Sequence, residues 1–93
     1  MSKKFSGRTA VVTGGAGGIG RATAEEFARG GANVAICEIN IDAASAAAEE
    51  IAKKHGVICK AYKCDVSDVT DVDAMASDVV ENLGSLDILV NNA

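Results

Sequence analysis

The sequence predicts an α/β protein built on a doubly wound parallel sheet, and three observations carry that expectation. An apolar run, Thr9-Ala10-Val11-Val12, leads straight into a glycine-rich turn and then into an amphipathic helical pattern. Short apolar runs and longer stretches of 3.6-residue period then alternate to the last residue, giving the order β-α-β-α-β-α-β. Each helical stretch also closes on glycine, at Gly30-Gly31, Gly56 and Gly84. With 93 residues the chain holds one domain at most and only a modest core.

Residues 8–13 form the first strand, an apolar run suited to burial on both faces. In the helix that follows, Ile19, Thr23, Phe27 and Ala28 are expected to face inward, with Arg21, Glu25, Glu26 and Arg29 turned elsewhere. Residues 32–37 make the second strand, followed at once by Glu38. From Ile41 to His55 the stripe Ile41, Ala44, Ala48, Ile51, Ala52 predicts a helix, with Asp42 and Lys53-Lys54 complementing its dipole at either end. Residues 57–64 read as a third strand, and Lys60 and Lys63 suit an edge position, where charge discourages pairing with other chains. An edge there implies the strand order 3-2-1-4. Ser67 or Asp68 caps the third helix, whose inward stripe is Val72, Met75, Ala76, Val79, Val80 and Leu83. Residues 87–90 form the fourth strand, and Asn91-Asn92-Ala93 leave its carboxyl end. Right-handed crossovers with a reversal beside strand one are expected to set the first helix on the face opposite the other two.

Charge and composition narrow the partners. A net charge of −4, with acids and bases interspersed and no basic stripe, argues against nucleic acid or an anionic membrane surface. No apolar run approaches the roughly 20 residues of a membrane span, and Met1-Ser2-Lys3-Lys4 leads into no apolar leader segment. A soluble, cytoplasmic chain is expected. Cys37, Cys59 and Cys64 contain no C-x-x-C pair and fall in apolar runs, as reduced and buried small hydrophobes do; no metal site is expected from them or from His55, the single histidine.

The glycine turn, Thr13 to Gly20, is the chemically informative stretch. A helix amino end presents unpaired N–H groups and about half a positive charge, so it holds a pyrophosphate if backbone can approach closely, which needs residues without Cβ. Gly14, Gly18 and Gly20 supply that at the spacing T-G-x-x-x-G-x-G. A triphosphate loop would need Lys followed by Ser or Thr after Gly20, where Arg21-Ala22 stand. Glu38 follows Gly20 by 18 positions, close to the roughly 20-residue interval at which a dinucleotide fold places an acid for the adenosine ribose hydroxyls. Ile39 and Asn40 come next, with no adjacent Lys or Arg for a ribose 2′-phosphate, so NAD is expected over NADP.

Thr13-Gly14-x-x-x-Gly18-Ile19-Gly20, Glu38 after strand two, Cys64-Asp65-Val66 after strand three and Asp87-Ile88-Leu89-Val90-Asn91-Asn92-Ala93 at strand four together resemble the short-chain dehydrogenase/reductase family. The resemblance covers essentially the whole chain and implies a Rossmann-like sheet in truncated form, residues 1–93 being the amino-terminal part of one dinucleotide-binding domain. It implies that Gly14, Gly18, Ile19 and Gly20 surround the pyrophosphate and nicotinamide ribose, Glu38 and Ile39 the adenosine ribose, Asp65 and Val66 the adenine, and that Asn91 contacts the adenine-ribose side through its backbone. The family's catalytic Ser and Tyr-x-x-x-Lys lie after the N-N-A-G segment, so no catalytic residue is expected here. The expected function is therefore the NAD(H)-binding portion of an oxidoreductase acting on alcohols or ketones. A stand-alone nucleotide-binding module and a non-functional truncation product are the alternatives, the last self-associating through an exposed strand-four edge.

Overall fold

The computed structural model describes residues 4–14 and 17–92; Gly15, Ala16 and Ala93, which belong to the two motifs above, lie outside them. Seven elements alternate as expected: β1 (Thr9–Thr13), α1 (Gly18–Arg29), β2 (Asn33–Glu38), α2 (Ile41–His55), β3 (Cys59–Lys63), α3 (Val69–Leu83) and β4 (Ile88–Asn91). The four strands form one sheet in the order β3-β2-β1-β4, every pair parallel. The central strand β1 is buried along its whole length, as its unbroken apolar run required. β3 is shorter than the apolar run that suggested it, and before its amino end the Ile58 N–H is taken by the Asn33 side chain at 3.0 Å.

Two apolar cores lie on opposite faces of the sheet. Val12, Val34 and Ile36 pack under Ala24 and Ala28 of α1 and under Ala44, Ala47, Ala48 and Ile51 of α2. Val11, Ala35 and Cys37 pack under Met75, Val79 and Leu83 of α3. This corrects the expected placing of the helices: α1 and α2 share a face, and α3 alone covers the other. The steps β1 to β2 and β2 to β3 run the same way across the sheet, so two right-handed crossovers leave their helices on one side; the step from β3 back to β4 reverses direction and carries α3 across.

The inward face of α1 also differs from its apolar pattern. Gly20, Ala24 and Ala28 are buried against the sheet, Phe27 is half-buried against Phe5 with ring centroids 5.1 Å apart, and Ile19 is 77% exposed. Small residues at spacing four make the contact because the helix lies too close to the sheet for larger ones. Val80, expected inward on α3, is likewise exposed. Along their outer edges α1 and α2 are tied by charge: Arg21 pairs with Glu50, and Glu25 accepts from Lys54 Nζ at 2.8 Å and His55 Nε2 at 3.2 Å, which holds its carboxyl down to about 2.

Candidate dinucleotide site

The carboxyl ends of β1, β2 and β3 meet at a cavity of about 200 Å³ lined by Gly14, Cys37, Glu38, Ile39, Cys64, Asp65 and Val66. The strand order reverses between β1 and β4, the switch point at which an open α/β sheet leaves a crevice for a ligand, and this cavity lies beside it on the β2 and β3 side. Gly14 turns the chain off β1 with φ +65 and donates its N–H to the Cys37 carbonyl at 2.8 Å, fixing the turn to β2. Gly18 begins α1 with φ +57, a conformation that glycine adopts without strain.

Gly20 serves close approach. A Cβ on it would stand 2.1 Å from the Gly14 carbonyl oxygen and 2.7 Å from Asn92 Nδ2, so α1 can start this near β1 only with glycine there. The amino end of α1 is left open: Gly17 offers no side-chain cap and the first turn carries no acid. Its first N–H groups, with the positive end of the helix dipole behind them, thus have no side-chain acceptor among the described residues. Such an end fits a pyrophosphate.

On the adenosine side, Glu38 stands at the last position of β2 and Ile39 beside it is 65% exposed. Asp65 accepts from the Ser67 hydroxyl at 2.7 Å and the Ser67 N–H at 3.0 Å, and these bonds hold its carboxyl below the usual range. Both bonds fall on Oδ1, which leaves Oδ2 without a hydrogen-bond partner among the described residues. Val66 lies between two cavities. The second, about 230 Å³, is lined by Thr13, Val66, Met75, Leu89 and Asn91 among others, and it is there that Asn91 falls. Five of the sequence-derived residues, Gly14, Glu38, Ile39, Asp65 and Val66, thus surround one cavity. Gly18, Ile19 and Gly20 stand at the open helix end and Asn91 on the far side of Val66.

Residue patterns alone missed four contributors. The Thr13 hydroxyl donates to Asn91 Oδ1 at 3.1 Å and accepts from the Asn92 N–H at 2.9 Å, which clamps the end of β4 to the end of β1. Asn92 then brings its amide against Gly14 and Gly20. Cys37 and Cys64 are the buried small hydrophobes expected, and they are also the cavity floor. Burial pushes the Cys37 thiol up to about 12 and raises that of Cys64, so the floor is neutral. The signal was their adjacency in sequence to Glu38 and Asp65. Tyr62, the single tyrosine, donates its hydroxyl to Asp78 Oδ2 at 2.5 Å and so fastens β3 to α3. Among the described residues no group of three or more His, Cys, Asp and Glu is placed to hold a metal ion, and no helix is long and apolar enough to cross a membrane.

Comparison with known proteins agrees with this geometry. The family model described as short chain dehydrogenase matches residues 8–93. The chain belongs to the short-chain dehydrogenase/reductase family. A sorbose reductase of Candida albicans is 48% identical over 89 residues, covering 96% of this chain and 31% of that protein. Among solved structures, the L-sorbose reductase of Gluconobacter frateurii, complexed with NADPH and L-sorbose, superposes with a TM-score of 0.90 at 40% identity, covering all of this chain and 35% of that one. An NAD+-bound xylitol dehydrogenase superposes with a TM-score of 0.91 at 38% identity over 98% of this chain and 35% of its own. This short-chain dehydrogenase/reductase chain thus spans about a third of the length of those relatives. Of the two solved relatives, one is bound to NADPH and the other to NAD+.

Proposed function

We propose that the chain is the NAD(H)-binding portion of a short-chain dehydrogenase/reductase that acts on alcohols or ketones, its catalytic groups lying in further sequence. The observation that carries this reading is the cavity at the carboxyl ends of β1, β2 and β3, where Gly14, Glu38, Ile39, Asp65 and Val66 meet beside a helix end that carries no side-chain cap. The N–H groups at the start of α1 hold the pyrophosphate, Glu38 and Ile39 surround the adenosine ribose with Glu38 accepting from its hydroxyls, and Asp65 and Val66 receive the adenine. The preference for NAD rests on Glu38, a carboxylate that two hydroxyls satisfy and a phosphate does not. The relatives named for sorbose and xylitol make sugar alcohols and ketoses the first substrates to try on a longer protein that contains this chain.

Calorimetric titration with NAD and NADP tests the reading. NAD is expected to bind more tightly, and Gly18→Val to abolish binding. A Cβ at Gly18 meets nothing within 4 Å, but its φ of +57 is strained for a β-branched residue, so the turn that presents the N–H groups would be lost. Equal or tighter NADP binding would remove Glu38 from its role.

We also propose that isolated copies associate through β4. Its residues Ile88-Leu89-Val90-Asn91 carry no charge, Leu89 is 61% exposed, and β4 is an outer strand of the sheet. Sedimentation velocity should show concentration-dependent dimers or larger species, reduced by Leu89→Lys. A monomer at all concentrations would contradict it.

A further inference from the structure

We propose that Lys63 sets how strongly this site discriminates between NAD(H) and NADP(H), by standing beside Glu38; the inference rests on the dinucleotide reading above. In sequence Glu38 is followed by Ile39 and Asn40 and has no basic neighbour. The sheet supplies one. Glu38 and Lys63 are register partners, the last pair of the β2–β3 ladder, and the Cys64 N–H donates to the Glu38 carbonyl at 3.2 Å, so the pairing holds to the carboxyl end of both strands. Neighbouring strands lie about 4.8 Å apart, and register partners on parallel strands project from the same face.

That shared face is given by the alternation along each strand. Val34 and Ile36 on β2, and Cys59 and Ala61 on β3, pack into the core beneath α1 and α2, and Glu38 and Lys63 continue those two rows beyond it. Lys63 is exposed, and among the described residues no carboxylate lies within 4.0 Å of its ammonium. An exposed cation on a long stem is thus the register partner of Glu38, the carboxylate proposed to meet the adenosine ribose.

The charges decide what this does. With a 2′-hydroxyl present, Glu38 accepts its hydrogen bond and Lys63 is a bystander in solvent. With a 2′-phosphate present, Glu38 repels it and Lys63 offsets that repulsion while supplying a counter-ion. The site is then less exclusive than Glu38 alone would make it. A lysine on an edge strand also discourages pairing with other chains, and that role alone would leave the ratio of the two affinities untouched.

The experiment measures NADH and NADPH affinities by calorimetry on the wild-type chain and on Lys63→Gln, Lys63→Glu and Lys63→Arg, each checked for wild-type circular dichroism. Lys63→Gln is expected to weaken NADPH relative to NADH by about three- to tenfold, and Lys63→Glu by more than tenfold, while Lys63→Arg retains the wild-type ratio. The shift should shrink at high salt. An unchanged ratio in the folded variants, or equal weakening of both cofactors, would overturn the role of Lys63 and leave the dinucleotide reading standing. A wild-type chain that binds neither cofactor would overturn both.

Discussion

The amino ends of the three helices differ in a way that separates stability from function. At α2 the Asn40 side chain accepts from the Ala43 N–H at 3.3 Å, and Asp42 sits in the first turn. At α3 Asp68 accepts from the Thr70 and Asp71 N–H groups at 2.9 and 3.3 Å, and Asp71 sits in the first turn. Each of these helices has a side chain that takes one or two of its amino-end donors and an acid in its first turn. At α1 a glycine holds the cap position, no side chain among the described residues accepts from the start of the helix, and no acid lies in the first turn. The helix that gives up its cap is the one that begins beside the Gly14 turn, where a ligand's oxygens can take the place of the missing side chain.

Two substitutions exchange these roles. Gly17 is extended, with φ −155 and ψ 171, and a Cβ there meets nothing within 4 Å, so Gly17→Asp fits without strain. It would cap α1 as Asp68 caps α3 and set a carboxylate where the pyrophosphate belongs. NAD affinity is expected to fall at least tenfold while stability rises by a few tenths of a kcal/mol, read by calorimetry and thermal melting. The reverse change, Asp68→Ala, strips the cap of a helix whose capping residue does not line the cavity. It should cost about 1 kcal/mol of stability and leave NAD affinity within about twofold of wild type. Cofactor binding that survives Gly17→Asp, or is lost in Asp68→Ala, would show that helix caps do not mark the site.

Much of this architecture was legible in the sequence, for identifiable reasons. The strand order followed from Lys60 and Lys63 marking an edge, the amino cap of α3 from Asp68, and the carboxyl ends of α2 and α3 from Gly56 and Gly84, whereas the Asn40 cap of α2 was not read. Glu38, Asp65 and Val66 could be placed because each directly follows an apolar strand, and strand ends in a parallel sheet converge. The inward face of α1 could not be read by apolar periodicity, since its contacts are made by Gly20, Ala24 and Ala28, residues chosen for smallness. The face that α1 occupies required following the direction of each crossover, not only its hand. Lys63 was hidden for a third reason. It lies 25 positions after Glu38, and only the β2–β3 register brings the two together.

The central claim is that a dinucleotide spans from the open end of α1 to the ends of β2 and β3, and it is tested most directly by mapping amide resonances of the 15N-labelled chain during titration with NAD. The largest shifts are expected at Gly18, Ile19 and Gly20, where N–H groups meet the pyrophosphate, and at Glu38, Ile39, Asp65 and Val66 around the adenosine cavity. The capped starts of α2 and α3, at Ala43 and Thr70, should move little. Shifts confined to the cleft between α1 and α2, around Arg21, Glu25, Glu50 and Lys54, or no saturable shifts at the α1 end, would contradict the account.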